Sequence, residues 1–196
     1  NSLPETITFP AEGAKVPGEG EYRAKLEVVY PGGEQIETTT SPIRIDVTEP
    51  QVALEKSAEG FSPNGDGMDE TITFTQNTEN AEEWSAYVIP ADAAKASGSM
   101  ISDQAVKIHS WEGKAPESFQ WNGQIAREGE LPSGRYVYAL TGSDSAGNTA
   151  FAGTEPFALD INSPQAGLTA EPLPFTPDGN GENDVLSLKI EAQDET

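Results

Sequence analysis

The 196-residue chain has no cysteine, a single histidine, and only eleven lysines and arginines against thirty-three acids. Each shortage removes a class of function. Without cysteine there is neither a disulfide framework nor a thiolate to bind metal or attack a substrate. A single histidine, His109, argues against a Ser–His–acid constellation and is read as a surface structural residue. A net charge of -22 denies the chain the basic stripe that a nucleic-acid binder needs to release counterions, and an anionic membrane surface would repel it. No apolar run approaches the roughly 18 residues of a membrane span, so no direct membrane insertion is expected of this segment. Asn1-Ser2-Leu3-Pro4 shows no charged-then-apolar leader, so an export signal, if there is one, is expected upstream or already removed.

What is present is a repeat. Phe61-Ser-Pro-Asn-Gly-Asp-Gly67 returns as Phe175-Thr-Pro-Asp-Gly-Asn-Gly181, an offset of 114 residues. The same offset pairs Gly20 with Gly134, Tyr22 with Tyr136, Leu26 with Leu140, Asp46 with Asp160 and Pro50 with Pro164. Without a gap, residues 20–67 and 134–181 share 14 identities in 48 positions. Chance would supply about three or four at ordinary residue frequencies. The phase divides the chain into the last part of one unit (1–49), a complete unit (50–163) and the beginning of the next (164–196). The chain therefore reads as an excerpt of a longer array, with short proline-stiffened junctions at Val47-Thr-Glu-Pro50 and Ile161-Asn-Ser-Pro164. The two flanks are expected to form small sheets of their own against the central domain.

Alternation at period two predicts strands at Thr71–Thr75, Trp84–Ile89, Val106–Trp111, Arg135–Leu140 and Phe157–Ile161. Turn signals stand between them at Asn122-Gly123, Leu131-Pro-Ser-Gly134 and Ser145-Ala-Gly-Asn148, and the one helical hint is Ala91–Ala96. The fold class is all-β, an antiparallel immunoglobulin-like or fibronectin-like β-sandwich repeated every 114 residues. The succession Phe61–Gly67, Trp121-Asn-Gly, Leu131–Tyr138 and Asp144–Asn148 resembles the immunoglobulin-like repeats related to the flagellar hook-capping protein, which recur in bacterial surface proteins. The resemblance implies an exported multi-repeat protein, outside the cell, on its surface or in the periplasm. It does not imply a flagellar role, because such folds are widely reused. One departure is that Gly181-Glu-Asn183-Asp184 keeps the family's loop ending, whereas the central unit has Gly67-Met-Asp69-Glu70.

Both loops follow the spacing Asx-x-Asx-Gly-x-x-Asp/Glu. Asn64, Asp66 and Glu70 occupy it in the first loop, and Asp178, Asn180 and Asp184 in the second. Calcium takes six to eight oxygens at about 2.3–2.6 Å, so these side chains, the Met68 and Glu182 carbonyls, and Asp69 and Asn183 form a candidate ligand set. The same residues also make metal-free Asx turns, and both readings stand. Trp84 and Trp121 are assigned to the core. Trp111, read as sharing a face with Lys107 and His109, is the aromatic expected to be more exposed and able to stack on a sugar ring. The leading reading is a non-enzymatic structural or adhesive segment whose partners are neighbouring repeats, with a glycan or surface protein as an outside ligand. The alternatives are a carbohydrate-binding module of a secreted enzyme and a scaffold at a filament tip.

Overall fold

The structure, a computed structural model, describes residues 6–10, 13, 15, 17–97, 101–125, 129–171 and 173–193; Asn1–Pro4 lie outside them. The N-terminal flank holds β1 (Gly20–Tyr22), β2 (Lys25–Val29), β3 (Gln35–Thr39) and β4 (Ile43–Ile45). The central region begins with β5 (Gln51–Lys56), β6 (Gly60–Phe61), β7 (Ile72–Glu79) and β8 (Glu83–Pro90), followed by the helix α1 (Ala91–Ser97). It continues with β9 (Val106–Glu112), β10 (Ser118–Trp121), β11 (Gln124–Ile125) and β12 (Gly129–Glu130). It ends with β13 (Gly134–Ser143), β14 (Thr149–Gly153) and β15 (Phe157–Leu159), and the C-terminal flank is β16 (Gln165–Glu171) and β17 (Ser187–Gln193).

The central region is a β-sandwich. One sheet runs β10-β7-β5, and the other runs β6-β15-β13-β8-β9 with β14 added beside β13. Alternation along β7 turns Ile72 and Phe74 inward, both fully buried, while Thr75 faces water. From the opposite sheet Tyr136, Tyr138, Leu140, Phe157 and Leu159 close the core. Phe74 and Tyr138 stack across the gap with ring centroids 3.9 Å apart and planes 5° from parallel. Burying an aromatic of this size stabilises by about 1.5–3 kcal/mol, so the ring pairs dominate the core's energetics.

A polar clasp accompanies the stack. The Tyr138 hydroxyl donates to Gln76 Oε1 at 2.7 Å, and Gln76 Nε2 donates to the Pro116 carbonyl at 2.7 Å. Gln76 and Tyr138 are both buried, so each needs the other. Burial pushes the Tyr138 phenol far above its ordinary value, which keeps the proton that the bond uses.

Three features depart from the expected pattern. First, pairing is not wholly antiparallel: Gly60–Phe61 joins β15 in parallel. The chain leaves the three-stranded sheet after Lys56 and crosses to the other. Gly60 passes so near Ala158 that a Cβ would lie 3.0 Å from the alanine's own. Second, β8 has no wet face over most of its length. It lies in the middle of its sheet, and α1 packs on the outside of β8 and β13, burying Ile89, Val137 and Ala139. The helical hint at Ala91–Ala96 thus covers a second apolar layer. Third, a register shift in the β8–β9 pair, at Ile108, opposes Ala86 to His109 but Tyr87 to Lys107. This β-bulge puts Trp111 and His109 on one face and Lys107 on the other.

The flanks form two-stranded sheets, and their registers copy the central region. Gly20 pairs Ile45 as Gly134 pairs Leu159, and Lys25 pairs Thr39 as Ala139 pairs Gly153. At the other end Gln165 pairs Gln193 as Gln51 pairs Glu79. Every pair is displaced by 114 positions. Tyr22 donates its hydroxyl to the Gly18 carbonyl at 2.9 Å, and Tyr136 donates to the Pro132 carbonyl at 2.8 Å, a tyrosine corner in the N-terminal flank and in the central unit.

Replacing Tyr138 by Phe strands the Gln76 amide oxygen in the core and is expected to cost about 1–3 kcal/mol in urea unfolding. Adding Gln76→Leu removes the stranded group, so the double variant is expected to lose less than the two single losses added together.

Candidate functional site

Three sites merit description: the acidic loops, the junction before the central sandwich, and the aromatic edge. The loops are the most alike. In the first, Asn64 Oδ1 accepts the Asp66 amide at 3.0 Å and Asp66 Oδ1 accepts the Met68 amide at 2.7 Å. Glu70 then reaches back, taking Gly65 N–H at 3.2 Å and Gly67 N–H at 2.8 Å on its two oxygens. In the second, Asp178 accepts the Asn180 amide at 3.1 Å and Asn180 accepts the Glu182 amide at 2.7 Å. Asp184 takes Gly179 N–H at 2.7 Å and Gly181 N–H at 2.6 Å. These backbone bonds hold the Asp184 carboxyl below its ordinary value, the Gly179 amide contributing most.

The backbone explains the spacing. Gly65, Gly67, Gly179 and Gly181 all have φ between 79° and 87°, a region that glycine enters without steric cost. Asp69 and Asn183 also lie in the left-handed region, with φ of 51° and 57°, which Asn and Asp tolerate better than other side-chain residues. Their carbonyls close the loops by accepting the amides of Ser62 at 2.8 Å and Thr176 at 3.0 Å. Asp69 and Asn183 therefore serve the loop through their backbone.

The donor set is all oxygen, which suits calcium. Yet position 1, 3 and 7 side chains already bond backbone amides, and the two Glu70 oxygens are both engaged. Among the described residues no group of three or more His, Asp or Glu side chains converges in a way that could hold a metal ion. The loop closes as a nested pair of Asx turns capped by a carboxylate. Each oxygen of Glu70 and Asp184 accepts one N–H and keeps a further lone pair.

At the junction, Asn148 Nδ2 donates to the Asp46 carbonyl at 3.3 Å and to Asp144 Oδ2 at 2.9 Å. This ties the end of the N-terminal flank to the β13–β14 turn. Asp144 also accepts the Ala146 and Asn148 amides, and the bond from the Asn148 side chain does most to hold its carboxyl below the ordinary value. Arg44 pairs with Asp46 at 2.8 Å beside an open cleft of about 460 Å³, lined also by Glu19, Thr48, Asn80 and Glu82. The unit that follows repeats part of the joint: Asp160 Oδ1 accepts Asn162 N–H at 3.0 Å as Asp46 Oδ1 accepts Thr48 N–H at 3.1 Å.

Trp84 and Trp121 are buried in the core, and Trp111 is half-buried at the edge. Its ring stands edge-on to Phe119 at 5.3 Å and 4.6 Å from the exposed His109. Much of the indole is therefore spent joining β9 to β10. What reaches solvent borders a shallow hollow lined by Glu83, Ser110, Glu112 and Lys114. His109 has aromatic neighbours, and its place on the face of Trp111 follows from the bulge. That bulge has no sequence signal. The Tyr136–Pro132 corner and the Asn148–Asp46 tie were also beyond sequence reasoning, although Tyr22/Tyr136 and Asp46/Asp160 were visible as repeated positions.

The sign of the pH dependence follows from Asp184. Its folded value lies below the ordinary 3.8, so the ionised form stabilises the loop. That contribution is complete above the ordinary value and disappears as pH falls through the lower folded one. A carboxyl NMR titration is expected to put the Asp184 midpoint below that of an exposed aspartate. The Gly179 and Gly181 amides should shift with the same midpoint, and Asp184→Asn should abolish that shared transition.

No protein-family model matches the chain, and no curated protein sequence matches it. Among solved structures, a tetra-tandem repeat from the extending region of a large adhesion protein aligns over 89% of this chain, at 13% identity and a TM-score of 0.39. The alignment spans 45% of that structure's chain.

Proposed function

We propose that the chain is a non-enzymatic segment of a tandem array of immunoglobulin-like sandwiches, acting as a structural or adhesive spacer in an exported bacterial surface or periplasmic protein. The observation that carries the reading is the recurrence, 114 residues apart, of strand register, tyrosine corner and acidic loop. Residues 50–163 form the complete unit; 1–49 and 164–196 belong to its neighbours. In such arrays each unit is stabilised by the ones beside it, and a short bonded junction transmits load better than a flexible linker. The tie from Asn148 to Asp46 and the buried Pro50 suit a stiff joint.

Calcium enters this reading as a weak clip on the loops. Because each loop has two or three carboxylates at most, the expected affinity falls in the range of about 10⁻⁴–10⁻³ M typical of weak extracellular modules. Calorimetric titration and melting in calcium against chelator test it; no heat and no shift remove calcium and leave the loops as Asx turns.

The spacer reading is tested by pulling the chain from both ends. The central unit is expected to open in one cooperative step, releasing roughly 350–400 Å of contour length for 114 residues. Gradual yielding without that step would sink it. Glycan binding abolished in Trp111→Ala, with melting unchanged, would establish the carbohydrate-binding module instead.

A further inference from the structure

Among the described residues, two buried side-chain atoms have no hydrogen-bond partner: Thr78 Oγ1 and Trp84 Nε1. Both residues are fully buried, and both line one hollow of about 260 Å³ at the end of the central sandwich. Glu79, Asn80, Ala81 and Lys114 complete the lining. Buried polar groups are nearly always paired, so two orphans in one lining point to a common partner.

Strand register explains why they meet. Thr78 is the last inward residue of β7, opposite Val52 in the three-stranded sheet. Trp84 stands near the start of β8 in the other sheet, between Gly142 and Trp111. The chain passes from one sheet to the other through residues 80–82. That crossing is held where Glu82 N–H donates to the Ser143 carbonyl at 2.9 Å and the Glu82 carbonyl accepts Gly113 N–H at 2.6 Å. The Trp84 atoms nearest a Cβ at Gly142 are Cε3, Cζ3 and Cδ2, so the nitrogen lies at the opposite edge of the indole, turned away from β13.

The chemistry of the two groups selects the occupant. An indole N–H only donates, whereas a hydroxyl donates and accepts, so the partner must carry an acceptor. That excludes a cation. An anion would meet Glu79 in a chain of net charge -22, with Lys114 the one cation among those lining residues. A neutral oxygen can accept from Trp84 and exchange a bond with Thr78, and the hollow is several times the roughly 30 Å³ share of one water. We propose that the hollow is an internal hydration site, in which a held water accepts the Trp84 N–H and bonds the Thr78 hydroxyl. The water bridges the two sheets beneath the β7–β8 crossing. Asn80 and Ala81 also line the cleft beside Arg44 and Asp46, so this hydrated end of the core adjoins the junction with the N-terminal flank. Trp121 is the internal contrast: it is also buried, but its indole N–H donates to the Gln124 carbonyl at 2.9 Å and needs no water. The proposal is independent of the spacer reading.

NMR of the 196-residue chain reads the indole N–H signals of its three tryptophans directly. The Trp84 N–H is expected to show a nuclear Overhauser cross-peak to water, with the sign that marks a residence time longer than molecular tumbling, and the Trp121 N–H none. Thr78→Val keeps the shape of the side chain and removes the hydroxyl. With water in place it breaks the bridge, so the Trp84 cross-peak weakens and melting falls by roughly 2–8 °C. In a dry site the same change relieves an unpaired group, and melting rises. Thr78→Ser keeps the hydroxyl and should retain the cross-peak, whatever the lost methyl does to melting. Titration with chloride, formate or acetate should leave the Trp84 signal in place. No water cross-peak at Trp84, a Thr78→Val protein that melts at or above wild type, or a saturable shift of the Trp84 signal by those anions would overturn the proposal.

Discussion

Phe74 and Tyr138 lie face to face between the two sheets, and the rest of the sandwich is arranged around that contact. The ring stack sets the separation of β7 and β13. The hydroxyl at its end is satisfied only because Gln76 stands two residues beyond Phe74 and has a carbonyl of its own to hold, that of Pro116. Tyr138 is fixed from behind as well: its amide donates to Thr154 Oγ1 at 3.2 Å and its carbonyl accepts Thr154 N–H at 2.8 Å. Thr154 is where the chain leaves β14 and turns to form β15. A single residue therefore links core packing, buried polar satisfaction and the change of strand. Farther along β13, Gly142 lies under the Trp84 ring, and a Cβ there would come within 2.6 Å of it. The bulk of the tryptophan and the absence of a side chain opposite are two halves of one packing solution.

Much of this architecture was legible in the sequence because it depends on properties that sequence states directly. Alternation of Ile72 and Phe74 with threonines follows from the two-residue period of a strand, and both residues are buried as that period requires. The 114-residue repeat is visible in letters and reappears in register, since register follows from which residues must face inward. The loops were legible to the level of their turns: Asx at positions 1 and 3 with glycine between is a statement about backbone dihedrals. What escaped was set by tertiary context. The bulge at Ile108 moves Trp111 from the face of Lys107 to the face of the core, and no local propensity marks a single inserted residue. The coverage of β8 on both sides depends on where α1 lands, which its seven residues do not reveal. The crossing at Gly60 depends on how closely Ala158 approaches.

The flanks show the same physics with one partner missing. Their hairpins have the right registers, the right tyrosine corner at Tyr22 and the right bonding at Thr40, where Ala24 exchanges backbone and side-chain bonds at 2.9 and 3.1 Å as Tyr138 does with Thr154. Local structure is therefore complete. Among the described residues no second layer opposes these hairpins, and Leu188, Ile190, Leu26 and Ile43 are exposed where their counterparts are dry or, at Gln76, bonded. An isolated two-stranded sheet is marginal in water. Each of these sheets therefore gains more from being covered than the central sandwich, already closed, would gain from another neighbour.

Charge determines how such faces can meet without indiscriminate aggregation. A chain with net charge -22 repels its own copies at long range, so side-by-side collapse of exposed strands is opposed everywhere the acids are dense. The inner faces of the flanks are where that opposition is weakest, because alternation places the acids of β3 and β17 on the outer side and the apolar residues on the inner. Along β17, Leu188 and Ile190 share one face while Lys189 and Glu191 share the other, where they pair with each other at 2.5 Å. Short-range apolar contact and long-range repulsion then select the same geometry. Approach is tolerated only where a large apolar area is covered at once, as it is between the two sheets of the central unit.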